Sequence, residues 1–163
     1  MNYTPDAGFP YYFELVKDAS YLSLFSAFDT FTFLDSIPKE KASYRYAPEK
    51  WSIQQIVGHI TDHERIKMSR AFLLSRKEAV ALWGYDQNRL VANSRFEVMT
   101  LEALITDFRA VRKASLSFIQ GLSEEQLKIQ GMAQQYEITL EDFLKSIIGH
   151  EKHHIHIIKE KYL

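Results

Sequence analysis

The ten residues GHEKHHIHII, 149 to 158, hold four of the chain's six histidines within seven positions. Imidazole is both a metal ligand and a proton carrier near neutral pH, so such a run suggests either a metal centre or a proton switch. Glu151, Lys152 and Ile155 interrupt it and the chain continues through KEKYL, which is not how an expression tag reads. On a helical wheel the apolar side chains Leu140, Phe143, Leu144, Ile147, Ile155 and Ile158 share one face. His154 points into that face and His150 lies at its margin, while His153 falls on the boundary and His156 on the solvent side. His150 and His154 thus form an H-x-x-x-H pair, a spacing that stacks two rings one turn apart so that both can reach one ion.

A second histidine pair lies in WSIQQIVGHITDHE, residues 51 to 64. There His59 sits at the margin of a face made by Ile53, Ile56, Ile60, Ile66 and Leu74, and His63 follows one turn later, also inward. Two imidazoles from one helix and one from another would give an open site for Zn²⁺ or a similar divalent ion, with water or substrate as the remaining ligand. The plainer alternative is a set of amphipathic side chains hydrogen-bonded at their tips. Glu151 falls within the apolar arc, where an unpaired carboxylate is costly. It calls for a salt bridge to Arg or Lys on a neighbouring helix, or for a catalytic role as general base or as a carboxylate orienting a ligand ring. Asp62 and Glu64 are candidates for supporting roles. A di-iron centre is disfavoured, because no histidine other than His154 has Glu three residues before it.

Helical periodicity dominates the elements that must position these residues. A first helix is expected from about Phe9 to Ile37, with Phe13, Val16, Tyr21, Leu24, Phe25, Phe28, Phe31 and Leu34 on its apolar face, ended by Pro38. Ser52 and Gln55 form a capping box that opens a second helix running to about Ser75, with Trp51 stapled on Ile56. Residues 76 to 99 read as a long connection with a short helix, in which Trp83, Tyr85 and Asp86 could help line a pocket. Thr100 caps a third helix ending near Gly121, and SEEQ at 123 to 126 opens a short one. GMAQQYEI reads as irregular or weakly extended. Thr139 caps the fourth long helix, Leu140 to about Lys161. The expectation is all-α, a four-helix bundle forming a single domain over 1–163.

Composition sets the outer limits. With 163 residues and 46% apolar content the chain can bury one core. Its formal charge of −1, from 20 basic and 21 acidic residues, gives no bulk attraction to nucleic acid or an anionic membrane. There is no cysteine, so thiolate ligands and a cysteine nucleophile are excluded and any thiol must come from outside. The start, MNYTPDAGFP, lacks the basic and apolar segments of a secretory signal, and no apolar run is long enough to span a membrane. A cytoplasmic protein acting on a small molecule is the expectation.

Three segments together resemble the DinB-like, YfiT-type family of metal-binding four-helix bundles: WSIQQIVGHITDHE, matching W-S-x-x-x-x-x-x-H-x-x-D-x-E, the connection GYDQ, and GHEKHHIHII, similar to an H-x-x-H-H ending. The resemblance covers nearly the whole chain. It implies an up-down-down-up bundle with two long crossovers, often a homodimer, and a divalent metal held by three histidines near one end of the core. Carried over by position, the ligands are His59, His150 and His154; His63 departs from the common pattern and stands as an alternative ligand. Zn²⁺ is the first expectation, with Ni²⁺, Fe²⁺ or Mn²⁺ as alternatives. Activities implied are metal-dependent hydrolysis, isomerisation, or S-transfer from a low-molecular-weight thiol such as bacillithiol or mycothiol. The alternative is a non-catalytic metal- or ligand-binding stress-response bundle.

Overall fold

The structure, a computed structural model, describes residues 3–78, 84–133 and 135–163. Three long helices carry the architecture: α4 (Ile53–Ser75), α6 (Leu101–Ile119) and α8 (Leu140–Lys161). The fourth member of the bundle is broken into α1 (Phe9–Glu14), α2 (Tyr21–Ser26) and α3 (Asp29–Asp35). Two short helices, α5 (Gln87–Ala92) and α7 (Glu124–Leu127), and a hairpin of β1 (Gln130–Ala133) and β2 (Tyr136–Thr139) lie in the connections. Helix α4 packs on both α6 and α8, α1 packs on α8, and α2 bridges α6 and α8.

The helix starts follow from local chemistry. Ser52 accepts the Gln55 amide and Gln55 returns the bond to the Ser52 amide, completing the capping box of α4. Ser123 and Gln126 do the same for α7. Thr100 and Thr139 each satisfy the third amide of their helix, at Ala103 and Asp142. Each bond supplies an acceptor for a first-turn donor that has no partner inside the helix. Trp51 packs against the apolar cluster that contains Ile56. Gly121 follows the end of α6, but α6 closes through Gln120 in ordinary right-handed backbone.

The first helix departs from expectation. Its backbone becomes extended at Ser20, whose hydroxyl accepts the Ser23 amide and starts α2, and again at Ala27, where ψ is 135°. Ser20 competes with the ladder by bonding locally, and the break at Ala27 rotates the apolar stripe. Thr30, Phe31 and Leu34 therefore face the core, while Phe28, counted on the apolar face, is 74% exposed. Within the stretch expected to be irregular or weakly extended, β1 and β2 pair antiparallel, Gln130 opposite Thr139 and Ala133 opposite Tyr136, so the described residues are helical with one small ribbon.

The core is not continuous. One apolar cluster gathers Phe25, Met68, Leu74, Ile119, Leu140, Phe143, Leu144 and Ile147. Another gathers Leu34, Ile53, Ile56, Val57, Ile60, Leu104, Phe108, Ile155 and Ile158. Between them, on each long helix, lie buried polar residues: His59, His63 and Glu64 on α4, Arg112 and Ser115 on α6, and His150, Glu151 and His154 on α8. The histidines thus occupy a polar layer between two apolar ones, whereas the family resemblance implied a position near one end of the core.

Candidate metal centre

Helices α4 and α8 bring His59, His150 and His154 together. Nε2 of His150 stands 3.1 Å from Nε2 of His59 and 3.2 Å from Nε2 of His154. One ring nitrogen from each of the three lies within 4.8 Å of the others, and all three residues are buried. Tetrahedral coordination at about 2.0–2.1 Å places neighbouring ligand nitrogens about 3.3 Å apart, so the two short separations suit one shared divalent ion. Without an ion the arrangement is poorly satisfied. A neutral ring offers at Nε2 either one hydrogen or one lone pair, and His150 Nε2 faces two others. Its Nδ1 is the one buried side-chain polar atom without a partner among the described residues. Burial pushes His59 down to about 4, and burial followed by the charges of neighbouring groups holds His150 and His154 well below the ordinary histidine range. These rings are neutral at physiological pH, the form that ligates metal.

Two glycines shape the surroundings. Gly58 and Gly149 each precede a candidate ligand. A Cβ at Gly58 would run into the Phe96 ring, and one at Gly149 into the main-chain carbonyl of Tyr12. The missing side chains let covering segments close over both helices. Tyr12 meets the His150 ring edge-on at 5.0 Å, and Trp51 lies 4.7 Å from the His59 ring. His63 stacks on His150 with centroids 3.6 Å apart and planes 9° from parallel, and its Nδ1 shares a 2.7 Å hydrogen bond with the Tyr85 hydroxyl. It thereby fixes the orientation of the His150 ring.

Among the described residues, a cavity and a cleft border the histidines. A cavity of about 150 Å³ borders His150 and His63, with Tyr12, Lys67, Tyr85 and Phe143 among its walls. A wider cleft of about 300 Å³ reaches His154 beside Trp51, Tyr46 and Tyr162. Gln87, the first residue of α5, lines both.

The family description that matches, over residues 28–158, is the DinB superfamily. The chain belongs to the DinB superfamily. It is 27% identical over 128 residues, 77% of this chain and 73% of the relative, to an Oceanobacillus iheyensis protein named "putative metal-dependent hydrolase". Its fold is similar to that of YfiT from Bacillus subtilis, described as a "probable metal-dependent hydrolase with an unusual four-helix bundle topology", with a TM-score of 0.69 at 14% identity over 98% of this chain and 89% of that one. It is also similar to the mycothiol-dependent maleylpyruvate isomerase, with a TM-score of 0.63 at 12% identity, covering 95% of this chain and 62% of the isomerase. At such identities the two structures speak for the fold alone.

The other candidates in this DinB chain fall out as follows. Glu151 is engaged on both oxygens: the Thr30 hydroxyl donates to Oε1 at 2.5 Å and the Arg112 guanidinium to Oε2. Arg112 also donates through Nε and Nη2 to Glu64, at 2.8 to 3.2 Å. A buried Glu64–Arg112–Glu151 triad results, in which Arg112 lies over the rings of Phe25, Phe31 and Phe108. Of the two readings of Glu151, the salt bridge to a neighbouring helix is the one the contacts display. Asp62 is paired with Arg65 toward the surface. His63 lies outside the grouping of three, its Nδ1 turned to Tyr85. His153 is half-buried, its Nδ1 sharing a 3.1 Å bond with the Tyr11 hydroxyl, while His156 is exposed. Tyr85 lines the smaller cavity and Asp86 caps α5 through the Arg89 amide, whereas Trp83 lies outside the described residues. Arg112, Lys67 and Tyr12 were missed from the sequence. The signal for Arg112 was a charge on an apolar stripe, one turn after Phe108. No helix among the described residues is long and apolar enough to cross a membrane.

Proposed function

We propose that the chain is a metal-dependent enzyme in which His59, His150 and His154 hold one divalent ion, Zn²⁺ first among the candidates, and that it acts on a small electrophile by hydrolysis or by transfer of a low-molecular-weight thiol. The observation that carries this is the meeting of three buried Nε2 atoms at 3.1 and 3.2 Å, centred on His150. When bound, such an ion supplies Lewis acidity that brings a water or thiol in its open position toward ionisation near neutral pH.

The chain's own residues do the rest. Burial keeps the three rings neutral, and His63 with Tyr85 holds the His150 ring in one orientation. The ionic triad ties α4, α6 and α8 together one residue beyond His63 and His150, fixing the spacing of the ligand-bearing helices. The cavity beside His150 and the cleft beside His154 give two approaches, room for an electrophile and a second reactant on separate sides. With no cysteine in the chain, a thiol would be a diffusible one. The name of the Oceanobacillus relative supports metal-dependent hydrolysis, and the thiol alternative rests on the motif resemblance drawn from the sequence. An up-down-down-up order, a homodimer and a cytoplasmic location belong to the same proposal.

Elemental analysis tests it directly. Protein purified without a nickel column and reconstituted with Zn²⁺ should carry close to one equivalent, and His59→Ala or His154→Ala should lose it. Retention of metal by both variants, or only a trace in the wild type after reconstitution, would remove the mechanism.

A further inference from the structure

One wall of the cavity beside His150 carries a cation, Lys67, that has no ion pair among the described residues. Lys67 lies one turn beyond His63 on α4, and its amine stands 5.3 Å from the centroid of Phe143, another wall residue. Among the described residues no carboxylate forms an ion pair with it. Residues 1, 2, 79–83 and 134 include no acid. Other cations of the fold are differently served: Arg112 holds two carboxylates, and Arg45, Arg65 and Arg109 each hold at least one. Burial, then the charge of Arg70, push Lys67 down to about 8, and its charge contributes to the depression of His63. An ammonium placed in a partly desolvated wall, with its natural partner missing, is completed by an anion.

The remaining walls define what kind. Tyr85 is held neutral by burial and its hydroxyl is engaged with His63 Nδ1, so it contributes no negative charge. Phe9 and Phe143 supply apolar surface, and Ser146 a small polar wall. A single lysine balances one negative charge, which suits a carboxylate better than a phosphate carrying nearly two. A cavity of about 150 Å³ is the size that accepts a benzene ring, hence a ligand of about six heavy atoms.

We infer that Lys67 is the anion-recognition residue of this cavity and that the substrate is a short carboxylic acid, its carboxylate on Lys67 and its chain between Phe9 and Phe143. Calling the ligand a substrate rests on the enzymatic function proposed above; the binding site itself does not.

Calorimetric titration of the intact protein, its zinc content measured beforehand, with butyrate, butyramide and inorganic phosphate separates the cases. Butyrate should bind at least about tenfold more tightly than butyramide, the scale of a charge-assisted hydrogen bond, and more tightly than phosphate. Lys67→Met should erase that preference and Lys67→Arg should keep it, with both variants melting no lower than wild type. A preference that survives Lys67→Met, one that is absent in wild type, or phosphate binding more tightly than butyrate would overturn the inference. Repeating the titration on zinc-stripped protein distinguishes the two proposals. A Lys67-dependent preference in a chain that binds no metal would sink the metal centre and leave the anion site standing.

Discussion

Arg112→Met tests whether the ionic triad braces the polar layer. Glu64 and Glu151 are 1% and 4% exposed, and apart from the Thr30 hydroxyl the guanidinium supplies their side-chain hydrogen bonds. Methionine preserves much of the apolar contact with Phe25, Phe31 and Phe108, so the loss is chiefly electrostatic. Removing one partner of a buried ion pair costs about 3–5 kcal/mol, because a bare charge is left behind. In a domain of this size each kcal/mol lowers Tm by about 2–4 °C, giving a drop of about 6 to 20 °C. Thermal and urea unfolding of zinc-stripped protein would measure it without a metal contribution. The control is a triple variant that adds Glu64→Gln and Glu151→Gln. With no unpaired charge left inside, it should recover much of the loss, a non-additivity expected of residues in one network. An Arg112→Met protein that melts within about 2 °C of wild type, or a triple variant that falls by the sum of its parts, would refute the reasoning.

Other expectations follow from single contacts. Gly149→Ala should displace α1 and cost about 1–3 kcal/mol or more, since the new methyl meets main chain, whereas Gly58→Ala meets a phenyl ring that can swing and should cost less; paired urea titrations compare them. Zinc-stripped protein should lose stability as pH falls from about 6.5 toward 4. His59 binds its proton less readily folded than unfolded, so the unfolded state takes up more protons and stability rises with pH across that window, which a pH series of melting curves checks. Tyr85→Phe removes the partner of His63 Nδ1 and should cost about 1–3 kcal/mol by chemical denaturation.

Local interactions were the most legible part of the sequence. Ser52, Thr100, Ser123 and Thr139 cap their helices by bonds three residues away, and those bonds are written in adjacent letters. The wheel left His59 and His63 both open and only the family resemblance chose His59, but that two helices turn histidines inward was legible because a fixed turn angle places side chains on faces. The break at Ala27 was not, since the stripe of Phe25, Phe28 and Phe31 keeps helical spacing across it and only packing shows that Phe28 turns outward. The hairpin was obscured because its two four-residue strands pair only with each other. The burial of His153 depends on Tyr11, 142 residues away, and the partner of Glu151 on a helix 39 residues earlier. Wheel arithmetic shows that Glu151 needs a partner; the fold alone names it.

The notch at Gly149 ties the amino-terminal segment to the interior. Because the main chain at Tyr12 lies against that notch and its ring rests on His150, Gly8, Phe9 and Tyr12 are part of the chamber wall. An expression strategy that trims the first dozen residues, or anchors a bulky fusion tightly against them, would reopen the chamber to bulk water. A preparation made that way could be well folded by circular dichroism and still unfit for assay.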